Sequence, residues 1–216
     1  MRWQHRFDSL SANGDGTIAS MLHPTLILAS TSRYRRELLG RLRLPFNVVS
    51  PDVDESALPG ETPAALARRL ALAKAQAVAA KHPLAVVIGS DQVCELDGQA
   101  IGKPGNHERA RAQLARLSGR VATFHTAVAV VCHGRAFEQV DMASVQVHFR
   151  VLSNAHIEHY LRLEEPYDCA GSAKCETLGI ALLQRIDSDD PTALIGLPLI
   201  RTAQLLRLAG IDPLQP

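Results

Sequence analysis

The sequence predicts an α/β protein whose mixed, twisted β-sheet is flanked by helices and whose two lobes enclose a central cleft. Three observations predict this class. Apolar strand 25–29 runs directly into a helix, and the nearly all-apolar run 84–90 has the composition of a buried central strand. Two long segments, 121–132 and 137–150, indicate a hairpin. Because strand–helix alternation gives parallel pairing and a hairpin gives antiparallel pairing, the sheet should be mixed.

The first half of the chain alternates strands and helices. Thr62 is a favourable N-cap and Pro63 suits the first helical position, so a long helix should begin there. Run 84–90 should deliver Asp91 at the carboxyl end of a strand, the edge at which open α/β sheets bind ligands. The elements predicted here are strand 25–29, a helix continuing through 37–42, strand 46–50, helix 62–81, strand 84–90 and a hairpin of 92–96 with 99–101.

The second half of the chain predicts the rest of the sheet and its outer helices. The alternation of apolar and polar residues from Val145 to Phe149 indicates a strand with one exposed face. Ser153 caps a helix that stops before Pro166, and Gly210 lies beyond the end of the last helix. The elements predicted here are helix 106–117, strands 121–132 and 137–150, helix 153–163, strand 181–186 and helix 197–208.

Composition bounds the classes of function. The 216 residues contain 23 Lys and Arg against 22 Asp and Glu, a formal charge of +1, so no overall field attracts nucleic acid or an anionic membrane. The four cysteines form no Cys-x-x-Cys pair, and the sequence has no signal-peptide pattern or membrane-length apolar run. These features predict a cytoplasmic protein that binds neither nucleic acid nor membranes.

Residues 1–20 mix Gly, Asn, Asp and Ser without an apolar period, and Met21 stands just ahead of the first strand. We expect a disordered leader, or an upstream start codon with Met21 as the native one. Residues 21–216 should form a single domain.

The segment from Leu26 to Arg36 has the layout of a phosphate-binding turn. An apolar strand ends in the hydroxyl-bearing residues Ser30 and Ser32, and the helix start that follows carries Arg35 and Arg36. Free backbone N–H groups at a helix N-terminus favour anions, and arginine adds charged donors. Because cations near a helix N-terminus oppose its dipole, an anion bound between them explains their presence. The alternative is a plain Ser N-cap with solvated arginines.

A second set of candidate residues surrounds Asp91. Glu55 comes from an acidic loop, Lys74 from the long helix and Lys103 from a Gly-Lys-Pro turn. Phosphate chemistry needs this mixture, since cations neutralise phosphate oxygens while carboxylates hold a divalent metal and deprotonate or orient water. The set predicts nucleotide hydrolysis. The alternatives are a turn or helix cap for Asp91 and solvated surface roles for Glu55 and Lys74.

Loop 167–180 is rich in glycine and small residues and holds Lys174 and Glu176. Such loops approach ligands closely, and the Glu176 carboxylate could accept hydrogen bonds from the donor edge of a guanine. A simple helix-to-strand connection is the alternative.

The adjacent carboxylates of Asp189 and Asp190 look like a metal site, but we interpret this pair as a turn and helix start. The sequence has no Walker loop, dinucleotide fingerprint, zinc-ligand spacing or nucleophile elbow.

Taken in order, the motifs of residues 25–214 resemble those of the Maf family. They are Leu-Ala-Ser-Thr-Ser-x-x-Arg-Arg, Asp-Val-Asp-Glu, Gly-Ser-Asp-Gln, Gly-Lys-Pro and Cys-Ala-Gly-Ser-x-Lys-x-Glu-x-Leu-Gly-Ile. The resemblance implies a cytoplasmic nucleoside triphosphate pyrophosphatase, related in fold to the inosine triphosphate pyrophosphatases. It also implies a divalent cation, Mg²⁺ or Mn²⁺, and a homodimer.

The resemblance implies roles for the candidate residues. Asp91 corresponds to the proton acceptor, and Glu55 corresponds to a residue that helps to hold the metal beside Asp91. The side chains implied to bind the triphosphate are Ser30, Arg35, Lys74 and Lys103. Ser32 and Arg36 join this substrate-binding set from the layout of the turn.

Three positions separate branches of the family, and here they hold Tyr34, Gln92 and Glu176. The branch that cleaves dTTP and UTP typically has Arg, Thr and Gln there, whereas this chain resembles the branch acting on 7-methyl-GTP. A methylated guanine carries positive charge, so Tyr34 could stack on it with cation–π character and Glu176 could accept its N1 and N2 hydrogens. Arg33 stands where the family usually has Pro.

The expected function is therefore hydrolysis of 7-methyl-GTP, a small-molecule nucleotide, to the monophosphate and pyrophosphate. One alternative is a dTTP or UTP pyrophosphatase of the same family. Another is a non-catalytic nucleotide-binding regulator, since the family has also been linked to septum formation and cell division.

Overall fold

A seven-stranded β-sheet runs through residues 24–215, the part of the chain that the computed structural model describes. Its strands are β1 (Leu26–Ala29), β2 (Asn47–Val49), β3 (Val86–Leu96), β4 (Gln99–Ile101), β5 (Val121–Cys132), β6 (Phe137–Phe149) and β7 (Leu183–Asp187). They lie in the order β2-β1-β3-β5-β6-β7, and β4 pairs with β3 outside this path. Strand β1 is parallel to β2 and β3, whereas the other pairs are antiparallel. The predicted mixed sheet is confirmed.

Helices pack on the sheet in two groups that define the two lobes. They are α1 (Arg33–Gly40), α2 (Pro63–Ala79), α3 (His107–Leu117), α4 (Asn154–Glu164) and α5 (Leu199–Leu208). In the first lobe, α2 packs on one face of the sheet and α1 with α5 on the other. In the second lobe, α3 and α4 pack against the far halves of β5 and β6. Strands β3, β5 and β6 run through both lobes and join them.

Side-chain alternation explains how β1 serves two cores at once. Ile27 packs with Leu70 of α2, and Leu28 points to the opposite face, where it meets Leu38 of α1 and Leu206 of α5. Successive side chains of a strand point to opposite faces, so a strand that is apolar at every position is buried on both.

The prediction that a strand ends at Asp91 is wrong. Strand β3 continues through Asp91 to Leu96, so the predicted run 84–90 and the first arm of the predicted hairpin are one strand. The cause is the length of its neighbours. Pairing with β1 stops at Gly89, but pairing with β5 continues to Glu95. Asp91 therefore lies where β1 has ended, beside the carboxyl edge of the parallel strands.

The two predicted helix caps are confirmed, and the starts of β7 and α5 differ from the predicted positions. The hydroxyl of Thr62 accepts a hydrogen bond from the backbone N–H of Ala65, and the hydroxyl of Ser153 accepts one from His156, both at 3.2 Å. Strand β7 begins two positions later than predicted because a short 3-10 turn occupies Leu178–Leu182. Helix α5 begins after Pro198.

None of the helices within residues 24–215 is long and apolar enough to cross a bilayer. The leader expected at 1–20 and the alternative start at Met21 lie outside the described residues.

Gly89 is a point of very close approach between β3 and α2. A Cβ atom at this position would lie 2.2 Å from the carbonyl oxygen of Ala71 and 2.6 Å from the backbone nitrogen of Ala75. Both are backbone atoms of α2, which cannot turn aside as a flexible side chain can. This contact brings Lys74 of α2 down to the level of Asp91 on β3.

We therefore expect Gly89→Ala to lower the free energy of unfolding by about 1–3 kcal/mol, the usual cost of overpacking a core. Gly40→Ala is the matched control, because a Cβ there meets nothing within 4 Å. The control should be neutral or stabilising by up to about 1 kcal/mol. Urea unfolding measures both, and equal midpoints for the two variants would contradict the role given to Gly89.

Candidate active site

A cleft of about 640 Å³ opens between the two lobes. The first lobe contributes the end of β1, the start of α1, one side of α2 and the middle of β3. The second lobe contributes the turn after β4 and loop 168–176. The predicted site residues that line it are Ser30, Ser32, Tyr34, Arg35, Glu55, Lys74, Asp91, Gln92, Lys103 and Glu176.

Lys74 joins two carboxylates at the floor of the cleft. Its Nζ lies 2.6 Å from Oδ1 of Asp91 and 2.6 Å from Oε1 of Glu55. Lys74 is only 4% exposed and Asp91 only 7% exposed, whereas Glu55 is exposed. A buried charge is costly unless it is paired, so the lysine and Asp91 stabilise each other. The surface alternatives for Lys74 and the cap alternative for Asp91 do not describe this arrangement.

Three cations set the ionisation of Glu55. Its partial burial by itself raises the pKa, but the hydrogen bond from Lys74 and the charges of Lys74, Lys103 and Arg35 outweigh it. The pKa of Glu55 is therefore lower than usual, and the side chain is a carboxylate at neutral pH.

Arg35 reaches across the cleft to the segment before α5. Its Nε donates a hydrogen bond to the carbonyl oxygen of Gly196 at 2.9 Å, and the hydroxyl of Ser90 donates to the same oxygen at 3.2 Å. Burial lowers the pKa of Arg35, while the charges of Asp91 and Glu55 oppose that shift. Gly196 has φ 128°, which favours glycine. Sequence reasoning gave no role to Ser90, although it lies in the Gly-Ser-Asp-Gln motif, and it missed Gly196, since an isolated Gly carries no motif.

The hydroxyl-bearing turn is a helix cap as well as part of the cleft wall. The hydroxyl of Ser32 accepts a hydrogen bond from the N–H of Arg35 at 3.4 Å, and that of Ser30 accepts from the N–H of Ser32 at 3.1 Å. The N-cap alternative thus holds for Ser32. Arg36 is exposed and does not line the cleft. Arg35 lines the cleft and Arg36 does not, because successive helical positions point in different directions; substrate binding by Arg36 stays a prediction.

The amide of Gln92 is held in one orientation. Its Nε2 lies 3.0 Å from three acceptors: the hydroxyl oxygen of Thr126 and the carbonyl oxygens of Ala193 and Leu194. In the flipped amide, Oε1 of Gln92 would face the carbonyl oxygens of Ala193 and Leu194, and no hydrogen would lie between these acceptors. Nε2 must therefore face this group. The carbonyl Oε1 of Gln92 then remains as an acceptor at a cleft-lining residue.

Tyr34 lies at the cleft wall beneath the side chain of Arg33. Nη2 of Arg33 donates a hydrogen bond to the Tyr34 hydroxyl at 2.8 Å, and its Cζ lies 4.8 Å from the ring centroid. Partial burial raises the pKa of Tyr34, and the hydrogen bond from Arg33 only partly opposes this. The ring is therefore a neutral phenol at neutral pH.

Loop 168–176 is fixed by its buried lysine and presents carboxylates to the cleft. Nζ of Lys174 donates to the carbonyl oxygen of Glu164 at 2.7 Å, and its backbone N–H donates to the hydroxyl of Tyr160 at 2.9 Å. Lys174 thus ties the loop to the end of α4. Glu176 and Asp168 are both exposed and line the cleft. Sequence reasoning missed Asp168.

The acidic pair before α5 is a turn and helix start, as predicted. Asp190 accepts a hydrogen bond from the backbone N–H of Arg201 at 3.1 Å, and Asp189 accepts one from the Arg201 side chain at 2.9 Å. Within residues 24–215, no group of three or more His, Cys, Asp and Glu residues is placed to hold a metal ion.

The carboxylates at the cleft floor fit a hard divalent cation. Glu55 and Asp91 each place one oxygen on Lys74, and their second oxygens have no hydrogen-bond partner among the described residues. Mg²⁺ is usually held by one or two carboxylates together with waters and substrate phosphates, and not by a full cage of protein ligands. Two carboxylates in a cleft large enough for a nucleotide match that pattern.

The fold and the cleft define a class: a two-lobed α/β protein whose cleft combines paired carboxylates with cations and so suits a phosphorylated ligand. The chain belongs to the Maf family, because the family model described as "Maf-like protein" matches residues 25–209.

Relatives at high identity extend over most of the chain. A protein of Albidiferax ferrireducens named "7-methyl-GTP pyrophosphatase" is 67% identical over 189 residues, which cover 88% of this chain and 95% of that protein. Proteins of the same name from Polaromonas sp. and Bordetella pertussis are each 63% identical, over 90% and 88% of this chain and over 90% and 95% of their own lengths.

Among solved structures, the Ham1 protein of Staphylococcus aureus is similar to this chain with a TM-score of 0.44 and 18% identity, over 58% of this chain and 71% of that one.

Proposed function

We propose that this chain is a nucleoside triphosphate pyrophosphatase that hydrolyses 7-methyl-GTP to 7-methyl-GMP and pyrophosphate. The observation that carries the proposal is the Glu55–Lys74–Asp91 cluster at the floor of a cleft that Tyr34 and Glu176 also line. The names of the relatives support the same substrate.

Asp91 is the group that accepts a proton from the attacking water. The water oxygen bonds to the α-phosphorus, the bond from that phosphorus to the oxygen bridging to the β-phosphorus breaks, and pyrophosphate leaves. Lys74 lies within ion-pair distance of one oxygen of Asp91 and one oxygen of Glu55, which holds both carboxylates at the floor of the cleft. Holding water and base in place supplies much of the rate enhancement in such reactions.

Glu55 and Asp91 are the residues that would hold a divalent cation, Mg²⁺ or Mn²⁺. When bound, such an ion offsets the charge on the phosphate oxygens. The protein itself supplies further positive charge through Arg35 and Lys103, which line the cleft and act on Glu55. Ser30 adds a hydroxyl at the end of β1. These groups are matched to a triphosphate, whose charge they neutralise.

The base would lie on Tyr34, with Gln92 and Glu176 reading its edge. A methylated guanine is a planar cation, which an aromatic face attracts. Its N1 and N2 hydrogens are donors, and both Oε1 of Gln92 and the carboxylate of Glu176 are acceptors. A pyrimidine presents a smaller and differently patterned edge.

Replacing Glu176 by Gln should lower kcat/KM for 7-methyl-GTP by about 10- to 100-fold, since a hydrogen bond to a charged group is lost. The loss for dTTP should be much smaller, so the ratio of the two values falls. Glu108→Gln is a suitable control because Glu108 is exposed on α3 and does not line the cleft. An unchanged ratio in Glu176→Gln would show that this carboxylate does not read the base.

The proposal as a whole is tested by pyrophosphate release from 7-methyl-GTP, GTP, dTTP, UTP and CTP, with Mg²⁺ or Mn²⁺. We expect the highest kcat/KM with 7-methyl-GTP. Activity confined to the pyrimidines would instead assign the chain to the dTTP/UTP branch. Binding without turnover on any nucleotide would favour a regulator linked to cell division, although such a protein has no need of a buried carboxylate facing its ligand.

The same proposal places the enzyme in the cytoplasm as a homodimer acting on a small nucleotide. It assigns no nucleic acid or membrane partner.

A further inference from the structure

Two charged side chains that no step above uses, Arg33 and Asp168, line the cleft together with Tyr34. Arg33 covers the ring, with Cζ 4.8 Å from its centroid, and Asp168 comes from the other lobe. Both side chains are exposed and both line the cleft. Both charges therefore line the cleft in which the proposed base stacks.

Asp168 has no cationic partner within ion-pair distance among the described residues. Its side chain contacts the thiol of Cys169, whose Sγ lies 3.4 Å from Oδ1 of Asp168. The pKa of Arg33 is raised mainly by its hydrogen bond to Tyr34, and that of Tyr34 mainly by partial burial; the negative charge of Asp168 adds a smaller upward contribution to each. A carboxylate without an ion-pair partner among the described residues thus lines the same cleft as the Tyr34 ring.

Arg33 has the opposite charge at the same place. The first turn of α1 contains no acidic residue that could neutralise it, and its recorded partner is the ring and hydroxyl of Tyr34. A positively charged base on Tyr34 would be repelled by Arg33 and attracted by Asp168. A neutral base would feel neither effect strongly, because Coulomb energy scales with the charge on both partners.

We propose that Asp168 is a specificity-determining residue that favours a positively charged base over a neutral one, and that Arg33 is its counter-charge, limiting the preference. The inference rests on the proposed function, because it concerns how the same cleft tells 7-methyl-GTP from GTP. It adds a second negative charge to that of Glu176; the N1 and N2 hydrogens that Gln92 and Glu176 accept are present in both guanines, so hydrogen bonding alone does not separate them.

Substitutions at Asp168 and Arg33 should change the selectivity for the charged base in opposite directions. The quantity to measure is the ratio of equilibrium affinities for 7-methyl-GTP and GTP, by calorimetry on the full chain without divalent cation, so that neither nucleotide is hydrolysed during the titration. Asp168→Asn should lower the ratio by about two- to five-fold, the size of one exposed charge interaction. Arg33→Ala should raise it by about the same factor. Any effect of a substitution on triphosphate binding cancels in this ratio, because both nucleotides carry the same triphosphate.

Controls separate charge from structure. Asp212→Asn at a half-buried residue and Arg41→Ala at an exposed residue remove charges of the same kind outside the cleft lining, and they should leave the ratio unchanged. In 1 M NaCl the shifts caused by Asp168→Asn and Arg33→Ala should shrink, since the Debye length falls to about 3 Å. A purely structural change would persist at high salt.

An unchanged ratio in Asp168→Asn, or a shift in the same direction for both variants, overturns the inference and leaves the proposed function standing. Wild-type protein that binds both nucleotides but releases no pyrophosphate overturns the proposed function alone. Wild-type protein that binds neither nucleotide overturns both.

Discussion

Asp91→Asn should reduce kcat for 7-methyl-GTP by about 10²–10⁴-fold, the usual contribution of a positioned general base. Asparagine keeps the size of the side chain but cannot accept the proton of the attacking water, and it removes one of the two carboxylates suited to a cation. The fold should survive, because Lys74 keeps its contact with Glu55 at 2.6 Å and an amide oxygen can still accept its hydrogen bond. Steady-state pyrophosphate release measures the effect.

Asp212→Asn is the control for this variant, since Asp212 lies outside the cleft and an Asn there can still accept the hydrogen bond from the N–H of Leu214. Thermal unfolding of both variants checks that the structure is retained. Asp91→Asn activity within a few-fold of wild type, in protein that unfolds normally, would remove Asp91 from the mechanism.

Lys74→Met should have the second largest effect, with kcat/KM reduced by at least about 100-fold and the acid limb of its pH profile moved to higher pH. Lys74 helps to hold the pKa of Glu55 below its usual value, although partial burial raises it. Without the lysine, Glu55 takes up its proton at higher pH, so the active ionised form is lost earlier as pH falls.

The same substitution tests a linkage between pH and stability. A carboxylate whose pKa is lower in the folded state than in the unfolded state stabilises the folded protein at pH values above the unfolded-state pKa. This contribution disappears as the pH falls through the folded-state pKa. Lys74→Met should therefore lose stability at neutral pH and differ less from wild type at low pH. Lys74→Arg keeps the charge and should keep the acid limb near its wild-type position. An unshifted limb in Lys74→Met would mean that Lys74 does not control the ionisation of Glu55.

Local signals predicted the secondary structure well where they were strong. Thr62 and Ser153 cap helices as expected, and the long hairpin of β5 and β6 follows from its alternation. The error at Asp91 arose because strand length depends on pairing with neighbours, and no local pattern reveals where β1 ends and β5 continues.

The site was predicted through residue chemistry, and its geometry was not. Glu55 and Asp91 were predicted from their motifs, and Lys74 was predicted as a cation of the long helix. That one lysine bridges both carboxylates depends on how closely α2 approaches β3 at Gly89. Arg36 was predicted from the same side-chain chemistry as Arg35, but it points in a different direction from the helix and does not line the cleft. Asp168 was missed because an exposed aspartate in a loop carries no motif of its own.

The most direct test of the central claim is hydrolysis of 7-methyl-GTP by the wild-type protein in water enriched in oxygen-18, with both products analysed by mass spectrometry. Attack at the α-phosphorus predicts 7-methyl-GMP carrying one labelled oxygen and unlabelled pyrophosphate. Label in the pyrophosphate, or release of 7-methyl-GDP with inorganic phosphate, would contradict the account.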